Sequence, residues 1–231
     1  DRKGSQNDDE ELLDDRRPSP FCWRIKYALA HKGLEFTTNP VGFTEIPRLI
    51  GGGYRTVPIL EDGDTVVGDS WAIVDHLDAR YPDASPLCAT PRERALARFV
   101  EAWSFVGVGF NLLPLLVLDI HDHARPEDRA YFRQSREARL GRPLEEAGEE
   151  RDKHIAAVRA GLEPLRLTLV HLKQPFLCGD GPGYPDYIVV GLLLWAASVS
   201  PRPILAADDP VLAWFDRMLD LHDGLGRRSP L

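Results

Sequence analysis

Three short stretches of this chain hold residues whose type and spacing bear on chemistry. Ser19-Pro20-Phe21-Cys22-Trp23 sets a hydroxyl immediately ahead of a run that reads as a helix, with Ser19 as N-cap and Pro20 in the first helical position. A helix start gathers orphan N–H groups and the positive end of the macrodipole, so it favours an anion such as a thiolate. A hydroxyl placed there can donate to the sulfur of a bound ligand and lower its pKa, for the reason that cysteine pKa falls at helix starts. Plain N-capping is the other reading of the same serine.

Arg55-Thr56-Val57-Pro58 is the second stretch. Only about 5% of X–Pro bonds are cis, so the isomer is left open by the residues themselves. A cis Pro58 would leave the Val57 backbone N–H and C=O unpaired at a sheet edge, ready for a peptide-like ligand to add as a strand. In the third, Gly68-Asp69-Ser70, the last two residues open a predicted helix, and capping is again one reading. In the other, Ser70 and the adjacent N–H groups hold a carboxylate while Asp69 takes the ammonium of the same ligand, as a zwitterionic α-amino acid end demands. Cys22 is read as a buried, inert thiol, with thiol–disulfide exchange as the alternative. His121-Asp122-His123 is read as a solvated loop, and no metal is expected.

The elements that must position these groups change character along the chain. Residues 1–18 are polar and acidic and read as a solvated segment, at most a weak first strand. A helix over Pro20–Lys32 is followed by a strand at Leu34–Thr38 and a short helix at Thr44–Ile50. Val57–Leu60 and Thr65–Val67 flank Asp62-Gly63 as a hairpin, and Asp69–Arg80 reads as a helix. That order gives a small sheet with helices against it. Proline-rich residues 83–91 read as a linker.

Everything beyond the linker reads as helical. Leu96, Phe99, Trp103, Val106, Phe110, Leu113 and Val117 form one stripe on a long helix that Pro114 should kink. Ile155, Val158, Leu162, Leu165, Leu169 and Leu172 suggest a second long helix. Ile188–Ala197 is apolar all round and predicts a central buried helix, and Asp209-Pro210 caps a last one. Phe21, Trp103, Phe110 and Trp195, with Phe105, are candidates for an apolar pocket. The charged stretch from Arg133 to Lys153 reads as an exposed helix face.

Composition sets outer bounds. The 231 residues suit two domains, and a net charge of −8 without a basic helix face argues against a nucleic-acid surface. Three widely spaced cysteines fit a reducing compartment, so a cytoplasmic protein is expected. Tyr187–Val199, the most apolar run, is shorter than the about 20 residues that span a bilayer, and no signal peptide is visible.

Taken together, the three stretches resemble the cytosolic glutathione transferases. Ser-Pro-Phe-Cys-Trp-Arg-Ile-Lys-Tyr-Ala-Leu-Ala-His-Lys-Gly-Leu, from Ser19 to Leu34, looks like the opening helix of their thioredoxin-like domain. Thr56-Val57-Pro58-Ile59-Leu60 looks like their cis-proline strand, and Val67-Gly68-Asp69-Ser70-Trp71-Ala72-Ile73 like their γ-glutamyl site. The likeness is nearest to serine-type members, the zeta class and the β-etherase-like proteins of bacteria and fungi. It implies an α/β thioredoxin-like N-terminal domain over residues 19–82 followed by an all-α helical-bundle C-terminal domain over 92–231.

It also implies a glutathione-dependent transferase. Ser19 would stabilise the thiolate, the Val57 backbone before a cis Pro58 would pair with the cysteinyl moiety, and Asp69 and Ser70 would bind the γ-glutamyl end. Thr56 and Arg55 would approach the glycyl carboxylate. The expected partners are glutathione, as co-substrate, an apolar electrophile and a second copy of the chain, with no membrane. A non-catalytic ligand carrier of the same fold is the rival. Two features depart from the family: no strongly apolar strand precedes Ser19, and Gly183 stands where a hydroxyl would complete the capping box with Asp186.

Overall fold

Each helix that carries a candidate residue begins for reasons local to its sequence. In a computed structural model, which describes residues 11–15 and 19–228, α1 (Pro20–His31) starts where the Ser19 hydroxyl accepts from the Cys22 N–H at 3.4 Å. It ends at Gly33, whose φ of 71° a residue with a β-carbon resists. Strand β2 (Phe36–Pro40) follows, then a 3-10 turn at Ile46–Gly51. Strands β3 (Ile59–Asp62) and β4 (Thr65–Gly68) form the predicted hairpin across Gly63-Asp64. Helix α2 (Ser70–Arg80) starts where the Asp69 carboxylate accepts from the Trp71 and Ala72 N–H groups at 2.9 and 3.1 Å.

The acidic segment contains the first strand. Glu11–Asp15 forms β1, which lies inside the sheet order β2-β1-β3-β4, parallel to β2 and antiparallel to β3. Leu13 pairs with Thr38 on one side and Leu60 on the other, and its side chain is fully buried. Backbone pairing on both edges holds the strand. The rest of the acidic segment, residues 1–10 and 16–18, lies outside the described residues.

The connection from α2 is pinned. The Asp78 carboxylate accepts from the Leu87 and Cys88 N–H groups at 2.9 and 3.0 Å and pairs with Lys32 at 2.7 Å. A capping box between Thr90 and Glu93 then starts α3 (Pro91–Ser104). The predicted single stripe does not survive the next turn. Phe105–Gly109 is a π-turn, after which α4 (Phe110–His123) runs through Pro114. A π-turn holds an extra residue and rotates the following face. Leu96, Phe99, Val106 and Phe110 of the stripe are exposed, while Ala97, Val100, Val108, Leu112, Leu115 and Leu116 are buried. The run Pro91–His123 is 33 residues and apolar enough to cross a membrane by length alone, but half of its apolar window is buried inside the fold.

The second predicted long helix is likewise two, α7 (Arg151–Gly161) and α8 (Glu163–His171), joined at Leu162. Pro164 supplies no N–H to continue the ladder. Gly161 lies against the Gly107 backbone so closely that a β-carbon there would collide with it. Between α4 and α7 come α5 (Pro126–Leu140) and α6 (Leu144–Glu149).

Helix α9 (Tyr184–Ala197) is the centre, buried from Tyr184 to Trp195 on every side as its all-round apolar sequence predicts. It lies on α1, where a β-carbon on Gly191 would strike the Pro20 carbonyl. The last element, α10 (Pro210–Gly224), is capped by Asp209 as predicted, and its regular turns end before the non-helical Leu221–Asp223. The architecture is therefore an α/β thioredoxin-like half followed by an all-helical half.

Asp186, fully buried, holds the start of α9. It accepts from the Gly183 N–H at 3.1 Å, the Leu177 N–H at 2.8 Å and the Trp214 indole at 3.1 Å. Burial pushes its carboxyl above the ordinary value, and these donors pull it back. The glycine in place of a hydroxyl is thus offset by contacts to the preceding loop and to α10. Asp186→Ala leaves three buried donors unmatched at about 1–3 kcal/mol each. Urea denaturation is expected to show a loss of about 3 kcal/mol or more, and a loss under about 1 kcal/mol would contradict this role.

Candidate active site

The start of α1 meets the turn before β3 at one end of a cleft of about 820 Å³ between the two halves. Ser19 is buried at 8% exposure and lines the cleft. Its oxygen already accepts from the Cys22 N–H, so its proton is left for a ligand atom in the cleft. The Val57–Pro58 bond is cis, and Val57 makes no backbone–backbone hydrogen bond among the described residues. Arg55, Thr56 and Val57 all line the cleft beside Ser19.

Asp69 and Ser70 open α2. Asp69 is exposed and held at φ 73°, a conformation costly for any residue but glycine and of the kind that clusters at ligand sites. One of its oxygens caps the helix. The buried Ser70 hydroxyl accepts from the Arg24 guanidinium. Arg24, 2% exposed, also donates to Glu101 of α3 at 2.5 Å, and the Trp71 indole donates to the other Glu101 oxygen at 2.7 Å. One carboxylate from the helical half therefore fixes α1 and the start of α2 together.

Of the five residues predicted for the apolar pocket, Phe21, Phe105, Phe110 and Trp195 line this cleft. Phe21 stacks on Phe105 with centroids 5.3 Å apart, and Phe105 meets Phe110 edge-on at 6.5 Å. Trp103 is not on that wall. Its indole donates to the Gly161 carbonyl at 3.1 Å, because the π-turn separates its face of α3 from that of Phe110. Cys22 is 1% exposed and packs with Val41, Ile46, Val57 and Ile59, away from thiol exchange. His121 and His123 turn to different partners, Asp122 and the Asp119 carbonyl, and no group of three metal-binding side chains occurs among the described residues.

The sequence reading missed the roof. Helix α5, read as part of an exposed charged face, turns Arg136 and Arg139 into the cleft, with Arg142 just beyond it. The Arg136 guanidinium lies over the rings of Phe43 and Phe132, 5.1 and 4.8 Å from their centroids. Burial, with Arg139 adding in the same direction, holds its pKa below the ordinary value. The roof is clasped by Asp128, 1% exposed, whose carboxylate accepts from the Phe43 N–H at 2.9 Å and from the Thr44 N–H at 2.8 Å. The available signal was the spacing of three between Arg136, Arg139 and Arg142, one side of a helix and its continuation.

Comparison with known proteins gives the family of both halves. Residues 18–80 match the family described as glutathione S-transferase, N-terminal domain, and residues 95–218 match glutathione S-transferase, C-terminal domain. A probable glutathione S-transferase of Oryza sativa subsp. japonica, GSTU6, is 28% identical over 214 residues, 86% of this chain and 80% of that protein. Glutathione transferase GSTFuA2 of Phanerochaete chrysosporium is 27% identical with a TM-score of 0.71, over 97% of this chain and 95% of that one. The fold also matches the glutathione complex of a glutathione S-transferase from Ceriporiopsis subvermispora, at 24% identity and a TM-score of 0.73, over 95% of this chain and 94% of that one.

Glu101 is the residue on which the site's rigidity rests. Glu101→Ala strands the Arg24 cation, and breaking such a pair by removing one partner costs about 3–5 kcal/mol. Chemical denaturation is expected to show a loss in that range. Stability within about 1 kcal/mol of the parent would contradict the assignment.

Proposed function

The chain belongs to the cytosolic glutathione transferase superfamily, and from that premise we propose that it binds reduced glutathione and activates its sulfur with Ser19. The observation that carries the reading is the Ser19 hydroxyl, its acceptor side occupied by the Cys22 N–H, on the cleft wall beside the Val57 backbone. The cysteinyl unit pairs with Val57 as an added strand. The α-carboxylate meets Ser70 at the start of α2, and Asp69 keeps its second oxygen for the ammonium. Thr56 and Arg55 receive the glycyl carboxylate. The Ser19 hydroxyl and the α1 start then favour the thiolate, which attacks an apolar electrophile resting on Phe21, Phe105 and Phe110. Conjugation and ether cleavage both fit this chemistry. We place the protein in the cytoplasm, where Cys22, Cys88 and Cys178 would remain the free thiols they are.

A hydrogen bond to a charged group contributes about 1.5–3 kcal/mol, or roughly 10–150-fold. In calorimetric titration with glutathione, Ser70→Ala is expected to weaken binding by about that factor. Ser19→Ala is expected to bind glutathione but to raise the pKa of the bound thiol by about 1–2 units, read from thiolate absorbance against pH, and to lower turnover of an aryl halide in step. An unchanged thiol titration would remove Ser19 from the mechanism. The carrier reading has one observation in its favour, a second, mostly apolar cavity of about 900 Å³ walled by Ile120, Leu193, Ile204, Leu212 and Phe215. Binding at that cavity without turnover of any electrophile would put the carrier first.

We also propose that two copies pair, as is usual in the family, through the exposed stripe of α3. Phe99 is 69% exposed and Val106 65% exposed, with Leu96 on the same stretch. Large apolar side chains in a contiguous exposed patch mark an interface. Sedimentation equilibrium is expected to give a dimer for the parent and a monomer for Phe99→Asp. A monomeric parent, or a dimeric Phe99→Asp, would exclude this face.

A further inference from the structure

The charge in the cleft is one-sided. Among the described residues four arginines line it (Arg55, Arg136, Arg139 and Arg142, the last paired with Glu150 at 2.8 Å) and no aspartate or glutamate does, in a chain whose net charge is −8. Elsewhere on the same part of the fold arginines are matched. Arg133 pairs with Glu137 and Glu145, Arg125 with Glu45, and Arg151 with Asp119. The arginines that α5 turns into the cleft are the exceptions: neither Arg136 nor Arg139 forms an ion pair among the described residues. The Trp195 indole N–H, on a side chain 9% exposed in the cleft wall, has no partner among the described residues either. A half-buried cation without a counter-charge and an orphan buried donor are both costly, and both are satisfied by an anionic acceptor. The aromatic cluster of Phe21, stacked on Phe105, with Phe110 edge-on to it, sits in the same cleft and suits a flat apolar body.

We propose that the electrophile this site takes is an aromatic acid, its ring on the phenylalanine stack and its carboxylate received by Arg136 and Arg139. The inference rests on the glutathione reading given above, which assigns Arg55 to the glycyl carboxylate and leaves the α5 arginines for the second substrate. The planar guanidinium fork matches a carboxylate in two-point geometry. In the reaction the glutathione sulfur forms a bond to the electrophilic ring carbon, the leaving group departs with its electron pair, and the thiol proton goes to solvent.

The test compares 4-chloro-3-nitrobenzoate with its methyl ester, both losing chloride to glutathione, with each kcat/KM divided by the uncatalysed rate constant of the same compound. The acid is expected to be favoured tenfold or more. In the double variant Arg136→Gln, Arg139→Gln, where the glutamine at 136 keeps part of the stem over Phe43 and Phe132, that acid-to-ester ratio should fall at least tenfold. A ratio that does not move overturns the proposal. So does weakened glutathione binding with equal losses on both substrates, since the arginines would then serve glutathione. Calorimetry with the unreactive 4-methyl-3-nitrobenzoate and its ester separates this inference from the proposed function. Preferred binding of the acid, lost in the double variant, upholds the anionic subsite even where no turnover is found. Equal binding of acid and ester overturns it.

Discussion

Arg24 is a cation at 2% exposure, and the arrangement of both halves follows from how it is satisfied. Burying an unpaired charge is prohibitive, so its partners are constraints on the fold. Its guanidinium joins Ser70 at the start of α2 to Glu101 on α3, and the Trp71 indole shares that carboxylate. Because Arg24 lies one turn into α1, the same contacts orient the helix whose first residue is preceded by Ser19. The two ends of the proposed glutathione site, the sulfur end and the γ-glutamyl end, are therefore not independent. A displacement of α3 would move both.

Close backbone packing adds a second constraint. Gly191 lets α9 approach the Pro20 carbonyl, so the most buried helix of the second half rests on the start of α1. Asp186 anchors that helix to the loop before it and to Trp214 of α10. The hydroxyl proposed to hold a reactive sulfur thus stands beside a closely packed helix–helix junction. Such support keeps a donor in place without reorganisation when charge develops on its partner.

What was legible in the sequence depended on whether a feature was local. The N-caps at Ser19, Asp69 and Asp209 and the hairpin after β3 are set by residues next to one another, and they were readable as such. Strand β1 was nearly invisible, because its sequence is mostly acidic and its pairing comes from distant partners. The α3 stripe misled because apolar spacing reports that a face is apolar, not what covers it. The π-turn at Phe105–Gly109 also breaks the period in a way that no composition rule marks. In the candidate site, Ser19, Phe21, Val57, Phe110 and Trp195 reach the cleft as expected. Arg136 and Arg139 did not stand out, since charged residues on an amphipathic helix ordinarily face water, and the contacts that turn α5 over the site, Asp128 to Phe43 and Thr44 and Arg125 to Glu45, join residues about 80 or more apart in the chain.

Net charge was the weakest guide of all. A chain at −8 suggests a surface that repels anions, yet the proposed ligand, as a thiolate, carries two carboxylates and a sulfur against one ammonium. The contradiction dissolves with distance. At physiological ionic strength exposed charges are screened beyond about 8 Å, so most of the surface acidity is not felt inside the cleft. Among the described residues the lining itself offers arginines, a helix start and the unpartnered Trp195 indole, and no carboxylate. The field at the reacting sulfur is then set by a few nearby groups in a partly desolvated space, where each acts more strongly than it would in water. A chain can be acidic as a whole and still receive anions, provided that its acids are kept out of one cavity, and here α5 supplies the means by turning two of its arginines inward while its buried Asp128 is occupied by the Phe43 and Thr44 N–H groups.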